Sequence, residues 1–203
     1  MAMHAASTDL SSATMSDQHL QQPFLQQPFL ETADVLYQSA DRLASQLHYA
    51  AQAITHTLTA GGKVLCAGQG EAHFLATQAA QWLVHGAAER ARPALAALTL
   101  SDRDNDLVAQ ARALGHPGDI WLAFSLERDE PALVAASEAA REQDLTIVAF
   151  TGESATVLGP LLRDTDVWVP VPGQLPSRLF SVAWLALHGL CEAVDTQLLG
   201  EVA

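Results

Sequence analysis

An α/β architecture built on a doubly wound sheet of five parallel strands is what the sequence predicts, and three observations predict it. After Gly62, short apolar runs alternate with longer stretches of helical period. The short runs are continuously apolar and do not alternate with polar residues, which suits strands buried on both faces of a parallel sheet. The chain has 203 residues, 49% hydrophobic and 16% charged, so it can bury one substantial core and is not disordered as a whole. The expected arrangement is three layers, α/β/α, of the flavodoxin-like kind, with a long N-terminal helix ahead of the first strand.

The elements follow in order. Residues 1–30 are rich in Ser, Thr, Gln and Ala and read as a disordered leader. Leu-Gln-Gln-Pro-Phe occurs there twice in tandem, at 20–24 and 25–29, and a proline every five residues predicts that no helix runs through it. The repeat is either a short partner-docking peptide or a duplication within the leader. Residues 31–203 form the folded domain. Leu36, Leu43, Leu47, Ala50, Ile54 and Leu58 recur at spacings of three, four and seven, which predicts a helix over 31–60. Gly61-Gly62 ends it. Its length predicts that part of it packs on another chain. Strands are predicted over 63–67, 95–100, 119–124, 145–150 and 166–171. Helices are predicted over 71–87, 103–114, 130–143, 154–163 and 177–199.

Charge narrows the function. Ten basic residues stand against 23 acidic ones, a net charge of −13, and Lys63 is the single lysine. Phosphate neutralisation needs clustered Lys and Arg, so direct binding to nucleic acid is not expected. An acidic surface favours solubility and steers basic partners. No apolar run reaches the roughly 18 residues of a membrane span, and the N-terminus lacks the pattern of a secretory signal, so the expected location is cytoplasmic, away from membranes. Cys66 and Cys191 make neither a disulfide framework nor a zinc site and read as buried small hydrophobes. The eight histidines show no paired metal spacing, so no metal or other cofactor is expected.

In sheets of this kind ligands bind outside the carboxyl ends of the strands. The segments that matter are therefore the turns at 68–73, 101–106, 125–130 and 151–153. The first reads Gly68-Gln69-Gly70-Glu71-Ala72-His73. Its glycines either let backbone N–H groups approach an anion at a helix N-terminus or simply make a tight strand-to-helix turn. It is neither a dinucleotide fingerprint nor a P-loop. His73 is a candidate to act on a ligand above this turn. The third turn, Ser125-Leu126-Glu127-Arg128-Asp129-Glu130, precedes Pro131. Its acids suit a helix N-terminus and repel an anionic ligand. Glu71, Asp102, Asp104, Glu127, Asp129 and Glu130 either converge on one rim, as a site for a cation or an Arg-rich partner, or are solvated helix-start carboxylates. Trp82, Trp168 and Trp184 either fill a former pocket or form an apolar interface patch.

Taken together, Gly61-Gly62-Lys63-Val64-Leu65 with Gly68-x-Gly70, the stretch 113–119, the stretch 145–152 and the closing Leu190-Cys-Glu-Ala-Val-Asp195 resemble a SIS (sugar isomerase) domain. The resemblance covers nearly all of 31–199. It points to the branch of the phosphoheptose isomerases and the DiaA-type proteins, whose members bind the replication initiator DnaA. It implies a homo-oligomer, dimer or tetramer, with ligand sites between subunits. It also implies phosphate held by Ser/Thr-rich turns, and a Glu and a His that move protons.

Residue by residue, the chain departs from that pattern. The family's first turn usually runs Gly-Asn-Gly-Gly-Ser, and Gly68-Gln69-Gly70-Glu71-Ala72 stands here. The third usually runs Ser-Thr-Ser-Gly-Asn-Ser, and only Ser125 is kept. The catalytic Glu falls on Trp82, the catalytic His on Ala183 and a nearby Gln on Phe180. Neither Trp nor Ala can take a proton at neutral pH. No catalytic residue is therefore expected, and Gly68, Gln69, Gly70, Glu71, Ala72, His73, Ser125 and Glu127 are expected as a vestigial ligand site. The expected function is a catalytically degenerate, DiaA-like oligomeric adaptor or regulator, with DnaA as the partner the resemblance offers. The alternatives are a sugar-phosphate binding protein or an isomerase of sedoheptulose 7-phosphate.

Overall fold

The computed structural model describes residues 10–87, 92–101, 106–152 and 157–200. The first helix, α1 (Leu10–Thr59), is followed by β1 (Val64–Gly68), α2 (Ala72–His85), β2 (Ala97–Thr99), α3 (Leu107–Leu114), β3 (Ile120–Ser125), α4 (Pro131–Glu142), β4 (Thr146–Thr151), α5 (Leu158–Leu161), β5 (Val167–Pro170) and α6 (Pro176–Leu199). Every strand pair is parallel and the order is β2-β1-β3-β4-β5. This is the predicted doubly wound sheet. Two compact units result, one ending at Gln38 and one beginning at Ser39.

The strands form where predicted because their residues can be buried on both faces. All of β1 and β3 is buried. One face carries Leu65, Ala67, Trp121, Ala123, Ile147 and Ala149 against the small residues of α3 and α4. Trp121 is fully buried, and its indole N–H donates to Ser137 Oγ at 2.9 Å, so its one polar group is satisfied. Strand β2 is shorter than predicted because it pairs only with β1. Helix α5 is only four residues long and ends where Leu162 turns extended, its N–H donating to Gly159 O at 3.2 Å. The predicted starts of α3 and α5 fall partly at 102–105 and 153–156, outside the described residues.

Helix α1 corrects the reading of the proline repeat. It runs through Pro23 and Pro28, where a break was expected. Each proline removes one backbone donor, at a cost of about 3 kcal/mol, but the helix on either side needs no new nucleation. Local side-chain bonds add support at the second proline: Thr32 Oγ1 donates to Pro28 O at 2.7 Å, and Gln27 Nε2 to Glu31 Oε1 at 2.7 Å. Residues 1–9 of the expected leader lie outside the described residues. At its other end α1 stops as predicted. Gly61 has φ +89°, and the Gly61 and Gly62 N–H groups donate to Leu58 O and Thr57 O, the Schellman pattern.

Asp119 ties together the starts of β1 and β3. Its carboxylate accepts from Lys63 N (2.9 Å), Lys63 Nζ (2.5 Å) and His116 N (2.9 Å). Burial alone would raise the carboxyl pKa, but the hydrogen bonds and charge of Lys63, with the His116 N–H, outweigh it and hold the group below its ordinary value. A depressed folded-state pKa contributes stability above the unfolded value of about 3.9, and this is lost as pH falls through the lower folded value. Thermal melts below pH 4 are therefore expected to show a loss of stability that Asp119→Asn removes. An identical pH dependence in that variant would refute this role.

Both cysteines are buried. Burial, with the nearby charge of Asp195, pushes the Cys191 thiol up to about 12, and burial raises Cys66 as well. Neither is a thiolate at neutral pH. Among the described residues no helix is long and apolar enough to cross a membrane.

Candidate functional site

The turns after β1 and β3 meet above the carboxyl ends of the strands and enclose a cavity of about 250 Å³. Six of the eight expected site residues line it: Gln69, Gly70, Glu71, Ala72, Ser125 and Glu127. Gly68 does not line it. A Cβ on Gly68 would stand 2.6 Å from Ala72 O, so glycine is required there for the tight turn into α2. His73 does not line it either. It sits half-buried in the first turn of α2, with Nδ1 buried and unpartnered among the described residues.

Some polar groups of the cavity are bonded within their own turns. Ser125 Oγ donates to Arg128 O at 3.0 Å. The Ala72, His73 and Phe74 N–H groups bond back to Gln69 O, Gly70 O and Glu71 O. Helices α4 and α6 begin on Pro131 and Pro176, which carry no N–H to offer an anion. Glu71, Glu127 and Glu130 are among the lining residues, and Arg128, the one cation among the described lining residues, pairs with Glu130 at 2.9 Å. A doubly charged phosphate here meets repulsion from the neighbouring acids.

The six acids do not all converge. Asp129 turns away and accepts from Val157 N (2.7 Å) and Leu158 N (3.1 Å), ordering the start of α5. Asp102 and Asp104 lie outside the described residues. Phe124, Arg128 and Pro176 also line the cavity and were not expected as ligand residues, and so does Phe180, the position at which the resemblance placed the family's Gln. Phe124 and Arg128 are flanked by expected site residues in sequence, whereas Pro176 and Phe180 arrive from the distant α6.

Trp82 and Ala183, the positions at which the sequence resemblance placed the family's catalytic pair, carry no acid–base group. Ala183 is buried. Trp82 belongs to a ladder of rings between α2 and α6. Phe180 lies 6.0 Å from Phe74, Phe74 stacks on Trp184 at 5.4 Å, and Trp82 meets Trp184 edge-on at 4.8 Å and His188 at 5.1 Å. Such pairs contribute roughly 0.5–1.5 kcal/mol beyond their buried area. Trp168 is not part of the ladder and lies on β5, about half exposed. Among the described residues no group of three or more His, Cys, Asp or Glu is placed to hold a metal ion.

A parallel sheet in this order, with a cavity over the turns after β1 and β3, is a doubly wound frame with a crevice at the carboxyl ends of its strands. The SIS domain profile matches residues 29–152, and the chain belongs to that family. It is 40% identical over 184 residues to a phosphoheptose isomerase of Methylibium petroleiphilum, covering 84% of this chain and 92% of the relative. It is 34% identical over 178 residues to the DnaA initiator-associating protein DiaA of Salmonella paratyphi B, covering 79% and 88%. The structure of a phosphoheptose isomerase from Neisseria gonorrhoeae superposes with a TM-score of 0.78 at 25% identity, covering 86% of this chain and 98% of the other.

Proposed function

We propose that this SIS-domain protein is an oligomeric adaptor or regulator of the DiaA kind, acting in the cytoplasm, whose sugar-phosphate machinery is degenerate. The observation that carries this reading is the lining of the cavity. Three acidic residues line it, its serine hydroxyl donates to Arg128 O, and Arg128, the one cation among its described lining residues, is paired with Glu130. The aromatic ladder at Trp82 supports the same reading, because an enediol pathway needs a group that accepts the carbon-bound proton. Residues 31–203 serve as the domain and residues 1–30 as a leader. Exposed Phe24, Leu25, Phe29, Leu30 and Tyr37 on α1 favour assembly with other copies. A dimer or tetramer presents several copies of one surface and gains avidity without any new contact. DnaA is the partner to test first, because the Salmonella relative is named for associating with it.

A second reading, binding or isomerisation of sedoheptulose 7-phosphate, is favoured by the 40% identity to the Methylibium relative. Thermal shift separates the two. Ligand at 100 times its dissociation constant adds about 2.7 kcal/mol to a protein that binds it only when folded. The adaptor reading expects no shift with millimolar sedoheptulose 7-phosphate, no turnover, and capture of DnaA in a pull-down. A clear shift with turnover would replace it by the second reading.

A further inference from the structure

The larger cavity lies at the other end of the sheet. It is an open groove of about 560 Å³ between the C-terminal half of α1 and the amino-terminal ends of β4 and β5. Thr146, the first residue of β4, and Val167 and Trp168, the first two of β5, line it. The cavity described above is lined instead by the last residues of β3. The two sites therefore sit at opposite ends of the strands. At 560 Å³ the groove falls within the ~300–1,000 Å³ common for small-molecule sites, whereas the 250 Å³ cavity falls below it.

The chemistry of the groove is specific. Gln46, Gln52, Asp164 and Thr165 line it, and their side chains form no hydrogen bond among the described residues. The same holds for the Tyr49 hydroxyl and the His56 ring. The two amides each bring donors and acceptors, the hydroxyls bring both, and the carboxylate accepts only. Two aromatic rings stand among them, Tyr49 (55% exposed) and Trp168 (48% exposed).

Trp168 is fixed in place, because its indole N–H donates to Thr151 Oγ1 at 2.7 Å. The charge balance rejects anions. Asp166 is fully engaged by Arg163 and by the Ile147 and Arg163 N–H groups. Among the described residues that line the groove, Asp164 is then the one carboxylate left without a partner, and none is a Lys or Arg.

From this we infer that the groove between α1 and β5 binds a neutral, polyhydroxylated ligand, a mono- or disaccharide without phosphate. Ring faces of a sugar pack on aromatic side chains that carry an apolar body and a polar tip. Its hydroxyls, each both donor and acceptor, match unpaired amide, hydroxyl and carboxylate groups. Releasing those groups from water without pairing them would cost binding, so the match selects for a polyol over an apolar ligand. The site is separate from the carboxylate-lined cavity and does not depend on what that cavity binds.

The test uses the full chain with maltose, trehalose, glucose and glucose 6-phosphate, read by saturation-transfer NMR on the sugar and by indole fluorescence. At least one neutral sugar is expected to saturate at millimolar concentration, with glucose 6-phosphate weaker than glucose. Tyr49→Ala and Asp164→Asn, both at exposed positions, are each expected to weaken binding roughly tenfold. Glu127→Gln, in the other cavity, is expected to leave it unchanged. Three results would overturn the inference: no saturable binding of any neutral sugar up to about 50 mM, glucose 6-phosphate binding at least as well as glucose, or binding that ignores Tyr49→Ala and Asp164→Asn while both variants melt like the parent.

Discussion

Arg92→Ala is expected to lower the stability of the domain by about 3–5 kcal/mol, because it leaves a buried carboxylate without its counter-charge. Arg92 Nε donates to Asp195 Oδ1 at 2.5 Å, and the two side chains are 2% and 0% exposed. The same guanidinium donates to Trp82 O at 2.8 Å and Pro93 O at 3.0 Å. It thus ties the end of α2 and the approach to β2 onto α6. Asp195 Oδ2 has no other hydrogen-bond partner among the described residues, so the carboxylate relies on Arg92. For a domain of this size the loss corresponds to a fall in Tm of about 6–20 °C. Arg92→Met with Asp195→Leu should cost less than the sum of the two single changes, since the double variant buries no unpaired charge. Full additivity of the measured losses would show that the pair does not act as a unit.

Gly152→Ala is expected to be almost as damaging, for a steric reason. A Cβ on Gly152 would lie 1.9 Å from Leu126 O, well inside van der Waals contact. The Gly152 N–H also donates to Ser125 O at 3.1 Å, so the turns after β3 and β4 are pressed together at this point. Overpacking of this kind costs about 3 kcal/mol or more, or a Tm lower by roughly 6–12 °C. Relief requires the 125–127 backbone to move, and that backbone lines the carboxylate cavity. Gly152→Ala should therefore also alter whatever the cavity binds. A variant that melts within 2 °C of the parent, a change of about 1 kcal/mol or less, would mean the turn yields easily.

The sheet was legible because its central strands β1, β3 and β4 are buried on both faces and their composition says so over five or six consecutive residues. The end of α1 was legible because a Gly-Gly pair stops a helix by a local rule. That the turns after β1 and β3 line one cavity was legible because ligand crevices of doubly wound sheets lie outside the carboxyl ends of the strands. What escaped the sequence was long-range. Arg92 and Asp195 stand 103 residues apart, and no spacing announces their pairing. Asp129 reads as one more acid at a helix start, yet its acceptors serve backbone donors 28 and 29 residues away. The groove on the far side draws on α1 and β5, more than a hundred residues apart in the chain. The proline repeat was misread for a different reason. A local penalty of a few kcal/mol does not decide a segment whose helix is already nucleated on one side.

Lys63 has a consequence for how this protein can be marked. It is the only lysine in the chain, and its ammonium is spent on the Asp119 carboxylate that gathers two strand starts. A cell that acetylated lysine here would neutralise the one amine that clamps the base of the sheet. For this chain, acylation cannot serve as a silent surface label. Any enzyme or reagent that captures that amine also loosens the fold, so side-chain amine chemistry and unfolding are coupled through a single atom.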